Sequence, residues 1–122
     1  MTKAVRGAIQ VGRNERLAIH QAAQRLIGEI LDGNQIRGED IISILFSMTG
    51  DLDAGNPATG LREGGFLETP LFCVQEAKVE GGMKRIIRAL VTFEGKGRRK
   101  AVAVYLDGAE ALRPDISLRR SP

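Results

Sequence analysis

Three strand-like segments of this 122-residue chain carry a charge where a core would take an apolar side chain. Arg6 interrupts Ala4 to Val11, Glu76 ends Leu71 to Glu76, and Arg88 lies within Arg85 to Phe93. Tyr105 adds a phenol to a fourth such segment, Ala101 to Leu106. An unpaired buried guanidinium costs several kcal/mol, so each charge must face solvent, a carboxylate or an anionic ligand. A solvated sheet face accounts for any one of them alone. Taken together, Arg6, Arg62 and Arg88 outnumber Glu76 as an internal partner, and the planar fork of arginine suits a carboxylate. Such a set, without a histidine base, an activated nucleophile or a metal cage, can bind and polarise an anion. Its chemistry is confined to reactions that need positioning and charge stabilisation, of which a unimolecular rearrangement is one.

The elements that must position these groups follow from periodicity. Val5, Ile9 and Val11 face one way and Arg6, Ala8 and Gln10 the other, the period of a half-buried strand. From Asn14, a candidate N-cap, Ile19, Ala23, Leu26 and Ile30 recur at helical spacing until Gly33-Asn34, a candidate C-cap. A second strand, Ile41 to Thr49, has Ser43 and Ser47 interposed and follows the helix as in a βαβ unit. Asn56-Pro57 predicts an N-cap with proline at the first helical position, opening one or two turns that carry Leu61 and Arg62. Pro70 opens a third strand, Gly81-Gly82 turns into the fourth, and Gly95 to Arg99 reads as a basic hairpin loop into the fifth. A short helix at Gly108 to Leu112 precedes Arg113-Pro114 and a polar tail. The fold class is α+β, a mixed five-stranded sheet with one long helix and short helices. Residues 1–122 are expected to form a single domain whose tail, after about residue 114, is mobile.

Composition removes other classes. Hydrophobic residues are 43% and charged ones 27%, enough apolar material for a core. One cysteine, Cys73, allows no intramolecular disulfide and no CxxC zinc pair, which suits a reducing compartment. The single histidine, His20, has no ligand-spaced partners, so neither a Cys/His metal site nor a Ser-His-Asp triad is indicated, and it is expected at the surface. Apolar runs fall far short of a membrane span and no basic leader is evident, so a cytoplasmic location with no membrane partner is expected. An aromatic fraction of 4% argues against a stacking platform for single-stranded nucleic acid. Residues 1–81 carry eight basic and eleven acidic groups and residues 82–122 ten and four, a bias toward small anions or acidic surfaces.

Six short strings complete the reading: Val5-Arg6-Gly7-Ala8, Pro57 to Arg62, Cys73-Val74-Gln75-Glu76, Gly81 to Arg88, Val104-Tyr105-Leu106 and Leu112-Arg113-Pro114-Asp115. In this order they resemble the small monofunctional chorismate mutases that form homotrimers with a pseudo-α/β-barrel appearance, distinct from the all-helical class. The match runs from about Val5 to Leu118. The resemblance implies a [3,3] Claisen rearrangement of chorismate to prephenate, on the route to phenylalanine and tyrosine, in clefts between subunits and without a cofactor. It further implies that Arg88 contacts the breaking ether oxygen and that Arg6 and Tyr105 hold the enolpyruvyl carboxylate. Glu76 would accept a hydrogen bond from the ring hydroxyl, assisted by the Cys73 backbone, with Leu112 lining the cavity. Arg62 would reach in from the neighbouring subunit, and Arg113 would lie on the part that closes over the ligand.

Two positions depart from that pattern. Asn56 stands where the family commonly has an aromatic residue before the proline, and Thr59 where a basic residue often follows it. Both belong to the segment that would cover the site from the neighbour. A paralogue acting on another chorismate-like enol ether, or a low-activity partner of another shikimate-pathway enzyme, are the alternatives they raise. Cys73 reads as a small core residue rather than a nucleophile, and Gly81-Gly82 with Lys84 as a turn rather than a phosphate loop. The cluster Lys96, Arg98, Arg99 and Lys100 reads as a solvated loop, with no nucleic-acid partner expected.

Overall fold

The computed structural model describes residues 1–115. The tail expected to be mobile lies, from Ile116 onward, outside the described residues. Five strands form one mixed sheet: β1 (Thr2–Gln10), β2 (Ile41–Met48), β3 (Leu71–Gln75), β4 (Ile86–Glu94) and β5 (Val104–Leu106), in the order β3-β2-β4-β1-β5. Helix α1 (Arg16–Asn34) joins β1 to β2, and α2 (Pro57–Glu63) joins β2 to β3. Short 3-10 turns occupy Gly38–Asp40 and Ala109–Leu112. The expected five strands, long helix and short helical turns are all present.

Both helices cover the same face of the sheet. Ile19, Ala23, Leu26, Ile27 and Ile30 of α1 are fully buried against Val5, Ile9, Ile44, Phe46, Ile87 and Val91. Each fully buried Leu or Ile contributes about 1.5–3 kcal/mol. The helix can come this close because residue 7 is glycine: a Cβ there would meet Ile30 Cδ1 and the Val104 carbonyl, each at 2.8 Å. On the opposite face Ala8, Ile86 and Tyr105 are buried with Ala109 at one end, and the remainder is left open, its strand positions carrying Arg6, Leu45, Ser47, Phe72, Val74, Arg88 and Leu90.

Several local expectations change. β1 and β2 are parallel, but β4 lies between them, antiparallel to both, so the βαβ unit is split. With both edges of β4 taken, the segment after it has no edge on which to fold back as a hairpin. β5 crosses instead to the far side of β1 and pairs with it in parallel. Only Val104–Leu106 forms the strand; upstream, the Asn34 side-chain amide accepts from Val102 N at 2.6 Å and donates to Val102 O at 3.0 Å, standing in for a strand neighbour. Asn14 does not cap α1, for which Glu15 occupies that position without a side-chain bond. Its Oδ1 accepts from Asp53 N and Ala54 N, each at 3.1 Å, fastening the loop before α2. α1 runs through Gly33-Asn34 and ends at Gln35, which takes the left-handed conformation at φ 55°.

The proline-led helix is as expected: Asn56 Oδ1 accepts from Ala58 N at 2.8 Å and Thr59 N at 3.3 Å, with Pro57 in the first turn. His20 is not at the surface. It is 3% exposed, because the α1 face that carries it is covered by α2.

Candidate active site

Strand register assembles the site on the open face. Ser47, Arg88, Ala8 and Tyr105 lie side by side across β2, β4, β1 and β5, and Leu45, Leu90 and Arg6 form the next row. Glu76 follows β3 directly, its N–H donating to Met48 O at 2.9 Å, and it shares the side of Phe72 and Val74. Its carboxylate accepts from Ser47 Oγ at 2.8 Å and from Arg88 Nε at 3.0 and 3.2 Å. Fixing Arg88 through Nε uses the one N–H on the inner side of the guanidinium. Neither Nη has a hydrogen-bond partner among the described residues.

Around this pair lies a cleft of about 300 Å³, lined by Arg6, Ala8, Leu45, Ser47, Arg88, Leu90, Tyr105 and Arg113. The Arg6 side chain makes no hydrogen bond or ion pair among the described residues. The Tyr105 hydroxyl also has no described partner, and no described polar side-chain atom is both buried and unpartnered, so that hydroxyl opens into the cleft although the ring is buried. Arg113 donates to Asp115 from Nε and Nη2 at 3.1 and 3.0 Å. That hydrogen bonding, with a smaller contribution from the charge of Asp115 and from Tyr105, raises its already high pKa, so Arg113 stays cationic. Leu112 packs partly buried beside Tyr105, Ile86 and Ala109 at the same end.

The structure brings together Arg6, Glu76, Arg88, Tyr105 and Arg113, with Leu112 adjoining. Cys73 is different: its side chain packs with the helix-facing core, and burial pushes the thiol up, away from the reactive thiolate. Its backbone is better placed. Pro70 O and Glu76 N make the bonds to β2, so by strand alternation the N–H and C=O of Cys73 point to the open edge of the sheet. Thr59 and Arg62 belong to α2 and Asn56 caps it, on the layer opposite the cleft, and none of the three lines it. Ser47, which orients Glu76, was missed as a site residue. Its signal was a hydroxyl recurring in an apolar strand, but the sequence does not say which face of β2 is open.

The basic loop is solvent-exposed at Lys96, Arg98, Arg99 and Lys100, as expected, and is tied back to the fold at two points. Lys3 Nζ donates to the Lys96 and Arg99 carbonyls at 3.2 and 2.8 Å, and Arg99 Nη1 donates to Gln35 Oε1 at 3.0 Å. Among the described residues no helix is long and apolar enough to cross a membrane.

Known proteins are similar to this chain over most of its length. The family model described as chorismate mutase type I matches residues 2–116. The chorismate mutase AroH of Bacillus subtilis is 36% identical over 123 residues, covering 99% of this chain and 97% of its own. The AroH of Thermus thermophilus is 36% identical over 118 residues, covering 95% and 97%. The solved structure of a chorismate mutase from Clostridium thermocellum, Cth-682, superposes with a TM-score of 0.84 at 37% identity, over 88% of this chain and 97% of that one.

Proposed function

The chain belongs to the chorismate mutase type I family; it is an isomerase of aromatic amino acid biosynthesis, and we propose that it rearranges chorismate to prephenate in the cleft around Arg88. In this [3,3] shift the ether C–O bond breaks as a C–C bond forms within one molecule. No proton or electron leaves the substrate, so the protein's work is to select the compact conformer and to stabilise charge. Negative charge grows on the ether oxygen, and the Nη groups of Arg88, held in place through Nε by Glu76, are the donors for it. Such a donor binds the transition state more strongly than the ground state, which is what raises the rate.

Arg6 and the Tyr105 hydroxyl hold the enolpyruvyl carboxylate at the other side of the cleft. Glu76 keeps capacity to accept from the ring hydroxyl, with the edge-directed backbone of Cys73 beside it. Leu112 walls the end, and Arg113 closes over the dianion.

The residues on α2 complete the site only from another copy of the chain. The reading is therefore a homotrimer closing a pseudo-α/β barrel, with Asn56, Thr59 and Arg62 of each subunit lying over the cleft of its neighbour. Supporting it is the apolar surface beside the cleft: Phe72 is 67% exposed, and Leu45, Val74 and Leu90 about 40% each. Residues 1–122 act in this reading as one domain. The protein belongs in the cytoplasm, where a chain with one thiol suits the reducing conditions.

The observation that carries the proposal is Arg88, fixed by Glu76 at one nitrogen and without a partner among the described residues at the other two, in a cleft shared with Arg6 and Tyr105. Its test is the loss of chorismate absorbance with identification of the product, for the wild type and Arg88→Ala. Prephenate from the wild type, with kcat/KM at least about a thousand-fold lower in the variant, is expected. Consumption to a different product would mark a paralogue, and a fully active monomer would overturn the shared cleft.

A further inference from the structure

One edge of α1 meets α2 through polar rather than apolar side chains. Arg16, His20 and Gln24 are four residues apart and so stand one above the other on the helix. Arg16 Nη2 donates to Glu63 Oε2 at 2.7 Å, His20 Nδ1 lies 2.7 Å from Glu63 Oε1, and Gln24 Nε2 donates to the Gly60 carbonyl at 2.8 Å. The Asn56 N–H donates to His20 Nε2 at 3.2 Å. Because a backbone N–H can only donate, Nε2 is the acceptor, and the proton of the neutral ring sits on Nδ1, aimed at the carboxylate. Both ring nitrogens are occupied, so the imidazole has none left for a substrate.

The fit depends on glycine. A Cβ at residue 60 would lie 2.6 Å from His20 Cα, and one at residue 55 would lie 3.0 Å from His20 Nε2. What the imidazole grips is Asn56, the N-cap from which Ala58 and Thr59 are bonded and α2 begins.

We propose that His20 is a positioning residue for substrate binding: through Asn56 and Glu63 it sets the start and the lie of α2, and so the placement of Thr59 and Arg62 over a neighbouring cleft. The inference rests on the mutase reading and its shared cleft. Protonation of Nε2 would set two donors against each other at Asn56 while tightening the bond to Glu63. The charged groups facing the ring's surroundings are Glu63 of α2, Arg16 of α1 and Asp53 of the preceding loop, the last two lining the shallow recess beside it.

The experiment compares His20→Leu, which fills the space without an acceptor, with His20→Gln, whose amide oxygen can accept from Asn56 N–H and does not titrate. In His20→Leu, KM for chorismate is expected to rise about ten-fold with kcat within about two-fold. His20→Gln should keep a KM near wild type and lose the rise in KM expected of the wild type on acidification. An unchanged KM in the leucine variant, an equal fall in kcat, or the same acid dependence in His20→Gln would overturn the proposal. Backbone amide NMR gives a second readout that does not need turnover. Acidification should shift the Asn56 and Thr59 amides in the wild type but not in His20→Gln, and unmoved wild-type amides would refute the role of His20. Amides that respond as expected in a wild type that leaves chorismate untouched would instead sink the mutase reading.

Discussion

Glu76 holds Arg88, and Glu63 holds His20 at one oxygen and Arg16 at the other, in two places with opposite outcomes. Glu76 takes Arg88 by one nitrogen on the open sheet face and leaves the outer fork without a partner among the described residues. Glu63 takes His20 between two helices, where the second ring nitrogen is filled by Asn56 N–H. Arg88 retains hydrogen-bonding capacity directed at a cleft; the His20 imidazole retains none. An ion pair is therefore poor evidence of a site by itself. What separates scaffold from site is the donor capacity left after internal partners are satisfied, since a buried group without spare donors can only hold structure.

The sharpest way to break this contrast is Arg88→Lys. The charge stays, but a lysine cannot give one nitrogen to Glu76 and two more, in a plane, to the substrate. A fall in kcat of about a hundred-fold or more is expected, with a melting temperature near wild type. Near-normal turnover would show that charge alone suffices and that the spare fork is incidental. A smaller effect, on stability instead of chemistry, is expected at the other pair. Gly60→Ala drives a Cβ into the α1 backbone at His20, and should cost about 1–3 kcal/mol in urea unfolding. A neutral result would mean that α2 is free to shift and that the seam does not define its position.

The smallest effect expected is in acid. The hydrogen bond from His20 first, then Arg16, holds the Glu63 carboxyl below its ordinary value of 4.5. A lowered folded-state value means that the stabilisation is complete above the ordinary value and fades as pH falls through the lowered one. The urea midpoint of the wild type should therefore drop more steeply below about pH 4.5 than that of Glu63→Gln. Parallel curves would show the pair to be inert, as many exposed pairs are.

Reading order explains which parts of the site were legible beforehand. Arg6, Arg88 and Tyr105 stood out because a period of two puts them on a strand face where charge is unexpected. Asn56 was identified as an N-cap because capping is settled within four residues. Ser47 is not legible as a site residue, since its partner Glu76 follows a different strand and lies 29 residues away. Asn14 had the composition of a cap and became instead a clasp for the loop at Asp53 and Ala54. Locally the two uses are indistinguishable, because the same amide oxygen satisfies either set of N–H groups.

From sequence alone came the five strands, the long amphipathic helix, the proline-led turn and the short list of side chains able to stabilise an anion. Each rests on a period or on bonds between near neighbours, which the chain carries wherever it goes. Only the tertiary structure decided that β4 sits between β1 and β2 and so turns β5 away, that one sheet face stays open, and that α2 buries His20. Those outcomes depend on which strand edges and helix faces are still unoccupied when distant segments meet, and no local pattern encodes that.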